Sequence, residues 1–172
     1  MAGTNDERAL ARVFDQAGCF VQRGGASGSG NFRGVEFPGP GDDRAQPDVL
    51  AASRHDLFLL ELKSGDPPFY FTQEEVDQLK WAARQVAGHA LLVVRAKRDP
   101  AFRFYDPDHV HTTGSDSRRV KPDADDPLTV LSDPRSKADD PPGYHYRAVA
   151  HHGLGRLVRD AVDAAQAGGQ GD

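Results

Sequence analysis

Asp48, Glu61 and Lys63 are the residues whose types and spacing point to chemistry, with Glu7 near the start of the chain as a candidate fourth. Successive side chains on a strand point to opposite faces. In Leu57–Lys63 this puts Leu57, Leu59, Glu61 and Lys63 on one side and Phe58, Leu60 and Leu62 on the other. Glu61 and Lys63 therefore point the same way. If Pro47–Ala52 pairs antiparallel across a turn at Ser53-Arg54-His55-Asp56, Asp48 arrives opposite the Glu61 and Lys63 end of the hairpin. Oxygen ligands gathered in this way suit Mg2+, which takes one or two protein carboxylates and completes its shell with water and substrate phosphate. Mn2+ is the alternative ion. Such an ion acidifies water and stabilises charge on a phosphodiester, while a neighbouring lysine orients or helps deprotonate the attacking water.

Each residue also has a plainer reading. Glu7 follows Thr4 at capping-box spacing, which alone would account for it. Glu61 and Lys63 could decorate an exposed edge strand, although the adjoining Phe58-Leu59-Leu60 run reads as a central strand, where a charge pair needs a reason.

The elements that must position these groups are legible in outline. Leu10, Val13, Phe14 and Ala17 recur at helical spacing and predict a first helix from Asn5 to Ala17. A short strand, Cys19–Val21 with Gln22 and Arg23, opens into a Gly/Ser loop over residues 24–30, and residues 31–46 read as an extended insertion. After the hairpin and a loop from Ser64 to Phe71, Thr72 and Glu75 have capping-box spacing and start a second helix. It carries Val76, Leu79, Ala83 and Val86 and stops at Gly88. His89–Ala96 reads as a buried strand and Ala101–Tyr105 as its neighbour. The expected fold is α/β, a mixed five-stranded sheet flanked by helices. Residues 1–110 form the domain, 111–153 an irregular arm, and 154–167 a C-terminal helix.

Composition narrows the class. The length of 172 residues suits one domain with a tail. A mean hydropathy of −0.61 and the lack of a long apolar run argue against a membrane span. The opening Met-Ala-Gly-Thr-Asn-Asp lacks the features of a secretory signal, so the expected address is cytoplasmic. A single cysteine, Cys19, excludes an internal disulfide and reads as core packing. The net charge of −5 does not advertise a nucleic-acid binder, yet phosphate affinity depends on local placement of Arg and Lys. The pairs His109/His111 and His151/His152 match no strong metal motif.

Pro47-Asp48 followed by Glu61-Leu62-Lys63 resembles the signature of the PD-(D/E)XK nuclease superfamily, which implies a restriction-endonuclease-like fold. Glu7-Arg8, Arg23 before the Ser/Gly loop, Phe69-Tyr70-Phe71-Thr72, the helix from Glu74, and Leu92-Val93-Val94-Arg95 extend the likeness to archaeal Holliday-junction resolvases over residues 4–106. That resemblance implies a homodimeric, metal-dependent endonuclease that resolves four-way junction DNA. By position, Glu7, Asp48 and Glu61 would bind or support the metal and Lys63 would assist the water. Ser27, in preference to Ser29, would match a catalytic loop serine, and Arg8 and Arg23 would contact phosphate. Arg95, with Lys97, Arg98 and Arg103, is either a DNA contact or a solvated rim. Two rivals remain: a related nuclease acting on duplex, flap or damaged DNA, and a noncatalytic DNA-binding module of the same fold.

Overall fold

The computed structural model describes residues 4–16, 18–24, 47–52, 56–133 and 135. In chain order the elements are α1 (Thr4–Gln16), β1 (Phe20–Arg23), β2 (Val49–Ala52), β3 (Leu57–Gly65), β4 (Phe69–Phe71), α2 (Gln73–Gln85), β5 (His89–Ala96), β6 (Ala101–Tyr105), β7 (His111–Thr112), β8 (Arg118–Val120) and β9 (Thr129–Ser132). Among the described residues, six strands make one mixed sheet in the order β1-β2-β3-β5-β6-β9, and β4-β8-β7 make a smaller one. Of these pairs, β3 and β5 run parallel. A parallel pair needs a long crossover, and α2 supplies it.

Two apolar layers sandwich the main sheet. Ala9, Leu10, Val13 and Phe14 of α1 pack on Phe58, Leu60 and Leu62 of β3, Leu91 and Val93 of β5, and Phe102 and Phe104 of β6. On the other face, Val76, Leu79, Ala82 and Ala83 of α2 meet Leu59, Leu92, Val94 and Tyr105. Alternation thus sends neighbouring residues of β3 and β5 into different cores, and burial of each large side chain contributes about 1.5–3 kcal/mol. Gly88 permits the approach of α2 to the sheet: a Cβ there would lie 2.8 Å from Leu59 Cδ1 and 2.9 Å from the Leu57 carbonyl oxygen. Cys19 is buried in the α1 core, as its type suggests.

The sequence expectations need correction beyond Gly65. The segment expected to be a loop contains β4, whose Phe69 and Phe71 are buried while Tyr70 faces out. The stretch expected to be an irregular arm supplies β7, β8 and β9, so the main sheet has six strands rather than five among the described residues. Its apolar residues are few, but Val120 and Leu131 are fully buried, and β9 completes the sheet by backbone pairing with β6, from Phe104↔Thr129 to Ala101↔Ser132. Pairing to an existing edge requires backbone donors and acceptors more than apolar side chains. The expected helix over 154–167 lies outside the described residues.

Candidate active site

The hairpin β2–β3 brings the first two acids together. Val49 pairs with Leu60, and both belong to the core beneath α1. Asp48 immediately precedes this pair and Glu61 immediately follows it; Glu61 alternates with Leu60 and shares the face of Leu59, toward α2. Asp48 is fixed there, because its Oδ2 accepts a 2.8 Å hydrogen bond from the backbone N–H of Leu62. The carboxylate is thereby tied to the strand residue that separates Glu61 from Lys63.

Lys63 is held from two sides. Its Nζ donates a 2.6 Å hydrogen bond to Glu75 Oε1 and sits 5.7 Å from the centroid of the Phe71 ring, which is fully buried. Glu75 also closes the start of α2: its Oε2 accepts from the Thr72 N–H at 2.7 Å, while Thr72 Oγ1 accepts from the Glu75 N–H at 3.1 Å. One carboxylate therefore caps the helix and anchors the lysine.

The acids crowd one another. Burial, then the charges of Asp48 and Glu75, push Glu61 up to about 9. Asp48 is also raised by burial, against the opposing pull of the Leu62 N–H and Lys63. Burial and then Asp48 raise Glu7, while Arg23 works the other way. For Glu75 burial acts upward too, but the bonds to Lys63 and Thr72 outweigh it and leave this group below its ordinary value. Burial first, and neighbouring acids second, make all three carboxyl groups resist ionisation, and a divalent cation is a natural counter-charge for such a patch.

Among the described residues, no group of three or more His, Cys, Asp and Glu side chains is arranged to hold a metal ion. Asp48 raises both Glu61 and Glu7, the latter buried on α1, so the three carboxyl groups feel one another. Mg2+ does not require such a set, since two carboxylates with water and phosphate oxygens suffice, so the residues fit a hard divalent ion.

The family model for archaeal Holliday junction resolvases, Hjc, matches residues 1–131. The chain belongs to that family. It is a structure-specific endonuclease that resolves four-way DNA junctions by phosphodiester hydrolysis, in a family that generally needs a divalent metal. Among the matching chains of solved structures is the 1.6 Å structure of Hjc from Archaeoglobus fulgidus, described as a Holliday junction resolvase from an archaeal hyperthermophile. It aligns with a TM-score of 0.55 at 22% identity, covering 70% of this chain and 87% of that one, and the likeness extends to the mixed α/β fold. No curated protein matches the chain.

The remaining expected site residues of this resolvase fall in different places. Arg8 on α1 and Arg23 at the end of β1 are exposed and line one groove. Arg95 is engaged within the protein: its Nε donates to the Asp99 carbonyl at 2.9 Å, and its two terminal nitrogens reach Asp6 at 3.1 Å and Asp133 at 3.4 Å. Its guanidinium also lies 4.8 Å from the Phe102 ring centroid. These bonds tie α1 to β5 and the end of β9, a structural role. Arg103 is likewise engaged, by Asp99 at 2.6 Å. Ser27 lies outside the described residues. Sequence reasoning finds Glu75 only as a capping residue; its second role depends on the α2 crossover returning its first turn to the end of β3.

Proposed function

We propose that the resolvase works with Mg2+ held by Asp48 and Glu61, with Glu7 in support, and that two copies of the chain act together on one junction. The observation that carries the site assignment is the Asp48 bond to the Leu62 N–H, which fixes this carboxylate between the positions that present Glu61 and Lys63. When bound, a divalent ion supplies positive charge to the scissile phosphate and acidifies water. The chain's own residues do the positioning. Lys63 donates a proton of Nζ to hold the attacking water, Glu75 and Phe71 restrict where that Nζ sits, and the Leu62 N–H keeps Asp48 oriented. Glu61, raised to about 9 by burial and by neighbouring acids, would hold the ion through its ionised carboxylate, since metal ligands must be deprotonated. Arg8 and Arg23 contact phosphates beside the cut.

A homodimer follows from the substrate's chemistry, because a four-way junction offers two equivalent strands and one chain provides one site. Incubation of the full chain with a synthetic mobile junction and Mg2+ tests the reading. Paired, symmetric incisions are expected, abolished by Asp48→Ala or Glu61→Ala, with flap and linear duplex cut far more slowly. Equal cutting by wild type and either variant would refute the assignment.

A further inference from the structure

A second concentration of charge lies away from the acids. Arg8 and Arg12 stand four residues apart on α1, Arg23 ends β1, and Arg135 follows β9; together they line an open groove of about 580 Å3 in which Asp15 is the single acid among the described residues. Residues four apart on a helix share a face, so Arg8 and Arg12 lie in line rather than back to back. Four guanidinium groups against one carboxylate are unexpected in a chain of net charge −5, and like charges repel unless something satisfies them.

Among the described residues, protein partners account for this cluster only in part. Arg12 reaches Asp133 only at 3.7 Å, while Asp133 has a 3.4 Å contact with Arg95, and Arg12 Nε is buried without a hydrogen-bond partner among the described residues. Arg135 is exposed, and its backbone N–H donates to Asp133 Oδ1 at 2.9 Å, which fixes where the residue leaves the sheet. Arg8 follows Glu7 directly on α1, and Arg23 is followed by Gly24, whose N–H donates to the Asp48 carbonyl at 2.8 Å, so the groove begins within a residue of two of the acids. Guanidinium forks match phosphate oxygens in planar, paired geometry. A row of such groups along an open groove suits a polymer of phosphates better than one small anion.

We propose that the groove bounded by α1, β1 and the end of β9 carries the sugar-phosphate backbone of a junction arm away from the cut, with Arg12 and Arg135 contacting phosphates beyond the reach of Arg8 and Arg23. The inference rests on the reading that Asp48 and Glu61 mark the cutting site, since this gives the groove its direction.

The experiment measures binding of the full chain to a synthetic four-way junction in EDTA, where cutting is suppressed, from 50 to 200 mM salt. Each phosphate that a side chain neutralises adds about 0.9 to the slope of log K against log salt, so Arg12→Gln and Arg135→Gln should each flatten it by roughly one and the double variant by about two. At 0.1 M salt the same relation gives about an eightfold loss of affinity per residue. Single-turnover cleavage at saturating protein should remain as in wild type, and Arg12→Lys should recover most of the slope. If Arg12→Gln unfolds, exposed Arg135→Gln carries the test alone. A wild-type slope in Arg135→Gln, or in the folded double variant, overturns the inference while leaving junction cutting intact. Failure of the wild type to bind or cut junctions would instead overturn the functional reading and this inference together.

Discussion

Replacing Glu75 with alanine removes two carboxylate interactions at once, the 2.6 Å bond from Lys63 and the 2.7 Å bond from the Thr72 N–H. Loss of half a capping box costs about 1 kcal/mol. The ion pair is partly exposed, with side-chain accessibilities of 19% for Lys63 and 30% for Glu75, so it is discounted to about 1 kcal/mol rather than the larger value of a dry pair. The sum, about 2 kcal/mol, corresponds to a fall in Tm of roughly 4–8 °C for a chain of this size. Catalysis should suffer more than folding. Lys63 would keep its charge but lose its fixed position, and displacement of a reacting group by about 1 Å costs on the order of a hundredfold. Glu75→Gln retains an amide oxygen that can accept from Lys63 or Thr72, so it should lie within about 1 kcal/mol of wild type and lose less rate. Thermal unfolding, junction binding and single-turnover cleavage on the three proteins separate these effects. Junction affinity within about twofold, with cleavage down by tenfold or more in Glu75→Ala, is the expected pattern. Wild-type cleavage by Glu75→Ala, with both bonds to the carboxylate gone, would refute the positioning role.

Other perturbations address the acids and the scaffold. Because Glu61 is raised to about 9 in the folded, metal-free chain, its contribution to stability is fully present below its unfolded value and is lost as pH rises through the folded one. Thermal melts in EDTA should therefore show Tm falling from pH 5 to pH 9, with Glu61→Gln flattening the decline; an unchanged slope in that variant would contradict the burial of this carboxyl. At Gly24 an added Cβ would lie 2.6 Å from the Pro47 carbonyl oxygen, so Gly24→Ala should disturb the end of the β1–β2 pair beside Asp48. Reduced Mg2+ affinity by calorimetry, together with a lower Tm, is the expected readout. Ending the chain after Val110 deletes β7, β8 and β9, and disappearance of the cooperative melt is expected, since Val120 and Leu131 are buried in the two cores.

The β2–β3 hairpin is legible in the sequence because its signals are local. Strand alternation places Glu61 with Lys63, and one short turn defines which residue meets Glu61. The capping box at Thr72 and the apolar run Leu91–Val94 likewise announce α2 and β5 without tertiary information. What stays hidden depends on long-range geometry. No sequence pattern brings Glu75 to Lys63 or engages Arg95 with Asp6 and Asp133, residues 89 and 38 positions away. β9 escapes for a related reason: its four residues are too few to show a period, and the strand exists because β6 offers an unpaired edge. Glu7 falls between these cases, since its capping-box spacing is visible in the sequence but its burial near Asp48 is not.

Placing the terminal strand of the main sheet at Thr129–Ser132, well after β6 ends at Tyr105, has a consequence for biosynthesis. At translation speeds of about 5–20 residues per second, the ribosome needs a few seconds to deliver that strand after its neighbour. Throughout this interval the nascent sheet exposes the naked hydrogen-bonding margin of a Phe-rich ribbon. Crowded polysomes would then favour sticking between half-made copies, and a chaperone that shields this margin would raise the yield of active enzyme.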